Sequence, residues 1–267
     1  MTLFQALVLG VVQGLTEYIP VSSSAHLVMV PRILGWTELQ HDGFVFDVLI
    51  QLGTLLGVAV YFFREIRGIS QDFFSDLRQF SFKSSGSIFV FHMLVATIPA
   101  CFFGLLFKKQ IAELFDSPKH SAWALIVTAL MLASVERFSR RLRNTIHVKD
   151  ALIMGLAQAF AIIPGISRSG ATISAGMMNG LDRHSSARFS FLMSFPVMIG
   201  ASLVAALDFK SGDPSLHHFA PLLVGFIASA VTGYFVVRWF MNFLRHRSLY
   251  WFAAYCFVVG TLGALYF

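Results

Sequence analysis

Charge is what this sequence has least of. Asp, Glu, Lys and Arg make up only 13% of its 267 residues, where an ordinary soluble domain carries roughly a quarter. Hydrophobic residues reach 56%, with a mean hydropathy of +0.71. That balance excludes a disordered chain and a water-soluble enzyme. Cysteine is nearly absent too. Cys101 and Cys256 both lie in apolar segments without metal-ligand spacing, so a disulfide framework is excluded and both read as small core residues. The N-terminus shows neither a basic region nor a cleavage site, so no removable signal peptide is expected. The net charge of +6 is no sign of nucleic-acid binding. Its Lys and Arg residues gather at the ends of apolar runs, as orientation in a bilayer requires.

What is present in quantity is long apolar sequence. A helix needs about 20 such residues to cross a bilayer, and runs near 46–63, 88–107, 121–136, 187–207, 219–238 and 249–266 come close to that length. Two further apolar pieces are too short. Residues 4–12 are interrupted by Gln13, Thr16 and Glu17 and stopped by Pro20, and a second short piece covers Leu27 to Leu34. Together they predict a re-entrant hairpin around a polar turn, tolerated at membrane depth only where it is buried or lines a wet cavity. Residues 64–87 read as a polar loop.

The plan then restarts. Residues 151–163 form a short apolar helix stopped by Pro164, and a second polar turn and a short apolar piece to Leu181 follow. Gly10-Val-Val-Gln13 matches Gly155-Leu-Ala-Gln158, and a proline comes six or seven residues later in each. The expected fold is therefore an all-α integral membrane protein in one domain. It is built as an inverted repeat, about 1–136 and 150–267, each half a re-entrant helix pair followed by three transmembrane helices. An odd number of spans per half turns the copies over, and such folds place their sites at the midplane between broken helices. Loops expected on one side (64–87, 137–149, 183–188 and 238–247) hold 14 basic residues. The other side holds five: Arg32, Lys108, Lys109, Lys119 and Lys210. The positive-inside rule then puts both termini outside the cytoplasm.

The chemistry sits in the two turns. Residues 13–26, Gln-Gly-Leu-Thr-Glu-Tyr-Ile-Pro-Val-Ser-Ser-Ser-Ala-His, place an acid, three hydroxyls and an imidazole in otherwise apolar chain. Ionisable groups in a bilayer are costly, so they mark function unless a partner pairs them away. Gln13 and Glu17 share a helix face one turn apart. They read either as a polar stripe paired to an arginine or as oxygen ligands for a hard cation, Mg2+ or Ca2+, which bridges to phosphates. One of Ser22, Ser23 and Ser24 caps the following helix. A serine becomes a nucleophile when a base takes its proton, and His26, three residues beyond Ser23, is a candidate base. A structural histidine is the alternative.

In Pro164-Gly-Ile-Ser-Arg-Ser-Gly-Ala-Thr172, the guanidinium of Arg168 needs an anion: either Glu17, or phosphate oxygens gripped by its planar fork. Ser167, Ser169 and Thr172 add hydroxyls, and Gln51, mid-span, is a further phosphate-binding candidate. His92, His120, His147, His184 and the His217-His218 pair fall at span ends or in loops and are assigned no chemistry.

Taken together, Gln13-Gly-Leu-Thr-Glu17, Pro20-Val-Ser-Ser-Ser-Ala-His26 and Pro164-Gly-Ile-Ser-Arg-Ser-Gly-Ala-Thr172 resemble the undecaprenyl-diphosphatase (bacitracin-resistance) family of bacterial inner membranes, over essentially the whole chain. The resemblance implies hydrolysis of undecaprenyl diphosphate to the monophosphate and inorganic phosphate, which recycles the lipid carrier of cell-wall synthesis, and dependence on a divalent cation. It matches Glu17 to the second acid of the family's Glu/Gln-x-x-x-Glu motif, Gln13 to the first place, Ser23 to the nucleophilic serine, His26 to the adjacent histidine and Arg168 to the arginine of the second motif. Ser24-Ala25 stand where the family often has Thr-Gly. The expected partners are a polyprenyl diphosphate and the bilayer, with a homodimer compatible and no nucleic acid. The rival class is a polyprenyl-phosphate transporter using the same basic pocket.

Overall fold

The computed structural model describes residues 1–36, 43–107, 110, 114, 117–139, 143–207 and 219–267. Lys108, Lys109, Arg140, Arg141, Lys210, His217 and His218, counted above, lie outside the described residues.

Eleven helices run in chain order among the described residues. They are α1 (Leu3–Thr16), α2 (Ser23–Ile33), α3 (Gly43–Tyr61), α4 (Phe63–Gln79), α5 (Ser85–Leu106), α6 (Pro118–Phe138), α7 (Val148–Phe160), α8 (Arg168–Met178), α9 (Arg183–Leu207), α10 (Phe219–His246) and α11 (Tyr250–Tyr266). Four are individually long and apolar enough to cross a membrane: α5, α6, α9 over Arg183–Val204, and α10. A fifth span results only if α3 and α4 count as one broken pair. The run expected near 249–266 is α11, an apolar helix of 17 residues.

The main departure from expectation is α4. Residues read as polar loop form a helix of 17 residues, bent by 81° away from α3. Its apolar residues Ile66, Ile69, Phe73 and Leu77 recur at helical spacing, and Ile66 and Ile69 pack against the core. Composition reads this segment as loop; periodicity makes it a helix.

The short helices begin and end for local reasons. Thr2 caps α1 by accepting from the Gln5 backbone N–H, and the Gln5 side chain accepts from Thr2 N in return. Such reciprocal bonds satisfy donors that a helix start leaves orphaned. Ser22 caps α2 and Ser167 caps α8, so each hairpin turn ends on a serine cap.

Packing then brings the hairpins together. α10 lies along α1 and α3, α5 along α7, and α6 along α11. Glycines permit the closest approaches: a Cβ on Gly10 would fall 2.5 Å from Gly225 O of α10, and one on Gly155 would fall 2.5 Å from Ala96 O of α5. α6 also touches both α2 and α8, which makes it the wall the two hairpins share. The core runs between them through Tyr18, Leu125, Met154, Phe189, Phe191 and Phe240. Outward-facing Phe91, Leu94, Ile98 and Phe102 of α5, and Leu223, Ile227, Val231 and Phe235 of α10, are exposed. This inside-apolar, outside-apolar pattern suits a chain whose solvent is lipid.

At one end of the bundle, charge ties the elements down. Arg143 grips the fully buried carboxylate of Asp150 through two nitrogens, at 2.5 and 2.6 Å, while the His147 backbone N–H and the Asn179 amide donate to the same group. Arg183 likewise forks onto Glu136 at 2.8 and 2.6 Å. Breaking a buried pair of this kind leaves a stranded charge, so these pairs tie the starts of α7 and α9 in place.

Candidate active site

The two polar turns meet. Ser24 Oγ accepts from the Gly165 backbone N–H at 3.0 Å, and Ser169 Oγ donates to Ile19 O at 3.0 Å. These bonds link positions about 140–150 residues apart in sequence. α6 braces the second turn: Thr128 Oγ1 accepts from Ser167 N at 3.1 Å.

At the junction lies the carboxylate of Glu17. Its Oε1 accepts from Arg168 Nη2 at 2.7 Å, and its Oε2 accepts both from Ser23 Oγ at 2.6 Å and from Gln13 Nε2 at 2.9 Å. One group from the first half thus holds the cation of the second half and the serine of its own turn. The guanidinium is bonded to Glu17 through Nη2, and the Arg168 side chain retains 17% of its exposure. That partial exposure leaves an edge of the guanidinium accessible. Beneath it, the Tyr18 ring lies 5.5 Å from Cζ, within cation–π range.

Exposure sorts the remaining candidates. Ser23, Ser24 and Arg168 are partly exposed, while Gln13, Glu17, Ser22, His26, Ser167, Ser169 and Thr172 are buried. Ser167 and Ser169 bond each other at 3.2 Å, Ser167 Oγ accepts from Gly170 N, and Thr172 Oγ1 meets Ser190 Oγ at 2.6 Å. These three hydroxyls hold the second turn together; they are not the accessible set. Gln51 is half-buried on α3, and no hydrogen bond joins its side chain to the cluster among the described residues.

The expected pairing of Ser23 with His26 is not found. His26 Nδ1 lies 2.8 Å from Ser22 O, and Nε2 lies 2.8 Å from Tyr255 Oη. The basic group in contact with Ser23 is Glu17. The physical reason is the turn itself: Ser22 sits at φ +66°, which swings Ser23 back toward α1 while the imidazole points across to α11. Two participants escape sequence reasoning. Tyr18 stands inside the first motif yet looks like one more aromatic, and Tyr255 lies 229 residues from His26 with nothing local to mark it.

Gly165 is needed twice over. Its φ is +91°, and a Cβ would fall 2.7 Å from Ala124 Cβ and 2.8 Å from Ser121 Cα. Gly165→Ala is expected to cost about 2–4 kcal/mol, from left-handed backbone strain plus overpacking. Thermal unfolding of the detergent-solubilised variant reads this as a fall of several degrees in Tm; an unchanged Tm would show that the turn yields freely.

A hard cation has a donor set to meet here, though a small one. Gln13 Oε1 is buried without a partner beside Glu17, which fits an oxygen-seeking ion. No group of three or more His, Cys, Asp or Glu that could hold a metal occurs among the described residues, so an ion bound here would take its other ligands from substrate and water.

Residues 6–262 match the family described as Bacitracin resistance protein BacA. The chain belongs to that family. It is 42% identical over 270 residues to the undecaprenyl-diphosphatase of Geotalea daltonii, covering 100% of this chain and 98% of that one. It is 40% identical over 269 residues to the undecaprenyl-diphosphatase of Geobacter sulfurreducens, with 97% and 96% covered. For that of Moorella thermoacetica the identity is 38% over 269 residues, with 98% and 97% covered. The matched stretch includes both polar turns.

Proposed function

We propose that this chain hydrolyses undecaprenyl diphosphate to the monophosphate and inorganic phosphate, acting where the two hairpin turns join. The observation that carries the reading is the Glu17 carboxylate lying between the Ser23 hydroxyl and the Arg168 guanidinium, 2.6 Å from one and 2.7 Å from the other. A nucleophile, a base and an anion-binding cation are thereby in contact. The names of full-length relatives at about 40% identity support the same substrate.

Phosphoryl transfer asks a protein chiefly for positioning and for charge aimed at the transferring group. The free edge of Arg168 takes phosphate oxygens, and the partly exposed Ser24 lines the entry beside Ser23. Ser23 passes its proton to Glu17 Oε2 as its Oγ bonds to the terminal phosphorus. The bond from that phosphorus to the bridging oxygen breaks, and the electron pair leaves with undecaprenyl phosphate. Glu17 releases that proton to solvent; water then attacks the phosphoserine and loses a proton to Glu17, which passes it to Ser23 Oγ as the O–P bond breaks and inorganic phosphate leaves. Arg168, bonded to Glu17 Oε1, fixes the carboxylate with Oε2 against Ser23. A bound Mg2+ or Ca2+, held by Gln13 Oε1 and Glu17, would supply further neutralisation of the phosphates.

The inverted repeat and the outward orientation belong to the same proposal. The repeat is supported by the matching approaches of Gly10 to α10 and Gly155 to α5, in which corresponding glycines of the two hairpins seat against long helices of opposite halves. A periplasm-facing site is supported by the 14-to-5 division of basic residues. The test is phosphate release by the purified protein in detergent micelles given a polyprenyl diphosphate. Steady release is expected. No release without a membrane to cross would overturn the hydrolase reading in favour of a carrier.

A further inference from the structure

The hydrogen bonds around His26 assign a task to a residue on the last helix. Ser22 O can only accept, so His26 Nδ1, 2.8 Å away, carries the proton. In a neutral imidazole Nε2 is then the acceptor, and Tyr255 Oη, 2.8 Å away, donates to it. The two rings are nearly parallel, 10° apart with centroids 5.8 Å apart. No hydrogen bond or ion pair joins His26 to a carboxylate among the described residues. Both ring nitrogens are therefore occupied by protein, and neither faces Ser23.

What the imidazole holds is strained backbone. Ser22 has φ +66° and ψ 98°, a region that side-chain-bearing residues rarely adopt and that costs on the order of 1–3 kcal/mol. It persists only if its surroundings over-determine it. Ser22 Oγ accepts from Ala25 N at 3.4 Å, a long bond, whereas the His26 Nδ1–H bond to the Ser22 carbonyl is short. The next residue is Ser23, whose hydroxyl must reach Glu17 Oε2.

From this we infer that Tyr255 is a positioning residue. Its hydroxyl locks His26 in the Nδ1–H tautomer, and that tautomer clamps the Ser22 carbonyl and so aims Ser23 at Glu17. Without the hydroxyl, Nε2 becomes a buried acceptor lacking a donor. The other tautomer then relieves Nε2 but turns the Nδ1 lone pair onto the Ser22 oxygen, and the clamp opens. Neither Tyr255 nor His26 holds the phosphates in this scheme; Arg168 does. The inference rests on the phosphatase reading above.

Tyr255→Phe removes one hydroxyl from a half-exposed ring, so folding is preserved. Its kcat for phosphate release is expected to fall about tenfold, the upper end of one hydrogen bond's net worth, with KM unchanged. The 15N spectrum of the imidazoles, with His26 assigned by its loss in His26→Gln, should show a protonated Nδ1 in the natural protein and a mixture of tautomers in Tyr255→Phe. In a His26→Asn background, where the amide nitrogen replaces Nδ1 as donor to Ser22, Tyr255→Phe should cost nothing more. A natural protein with Nε2 protonated, a Tyr255→Phe variant of normal kcat, or an undiminished Tyr255→Phe effect in His26→Asn would each overturn the inference. The tautomer measurement needs no turnover, so it stands apart from failure of the phosphatase reading.

Discussion

Arg168→Ala is expected to lower phosphate release on the order of 10³-fold, the scale of losing a principal charge donor at a reacting oxyanion. The loss is double. The phosphates lose a guanidinium, and Glu17, with 5% of its side chain exposed, loses the bond that holds its carboxylate in place against Ser23. A buried carboxylate deprived of its ion-pair partner is left as a stranded group, no longer held to accept from Ser23. Arg168→Lys keeps a charge but presents a point in place of a fork, and should recover only part of the rate. Because both losses meet at one carboxylate, adding Glu17→Gln to Arg168→Ala should cost much less than it does alone. Steady-state release by purified, folded variants measures all four enzymes. A near-normal rate in Arg168→Ala would sink the site assignment.

Ser23→Ala addresses the bond-forming atom. Removing an attacking hydroxyl that works as a unit with its base typically costs on the order of 10⁴-fold or more, and that loss is expected in kcat. Substrate binding should survive, because Arg168 and its bond to Glu17 do not depend on Ser23. The informative comparison is therefore binding of the diphosphate lipid by Ser23→Ala against its failure to turn over. Acid-quenching the natural protein during turnover and mapping phosphate to residue 23 tests the covalent step directly. Phosphate release by Ser23→Ala at the natural rate would eliminate the serine as nucleophile. An inactive Ser23→Ala with no phosphoserine in the natural protein would eliminate the covalent step and leave water as the attacking group.

Much of this arrangement can be read along the chain. Apolar runs of bilayer length, their interruption at Gln13, Thr16 and Glu17, and the stops at Pro20 and Pro164 are local properties, and the helices follow them within a few residues, except that α10 runs on past residue 238 to His246. Gly165, with its positive φ, and the serines that cap α2 and α8 are local too. The helix α4 was equally legible, because Ile66, Ile69, Phe73 and Leu77 keep helical spacing, but its polar composition masks that period. Arg168 announces its need for an anion wherever it sits, since a guanidinium cannot shed its charge among apolar helices.

Choosing among partners required three dimensions. Sequence order sets Ser23 and His26 three residues apart and suggests a catalytic pair. The fold separates them, because one strained residue, Ser22, turns the serine toward α1 and leaves the imidazole to Tyr255. The same holds for the hydroxyls of Ser167, Ser169 and Thr172, chemically fit to bind phosphate yet consumed in bracing their own turn. Local sequence dictates which residues must be helical and which must be paired, because backbone sterics and the expense of bare charge in lipid act at every position independently. Which group satisfies which is settled by packing, because a hydrogen bond reaches only about 3 Å and the residues that close these contacts arrive from opposite ends of the chain.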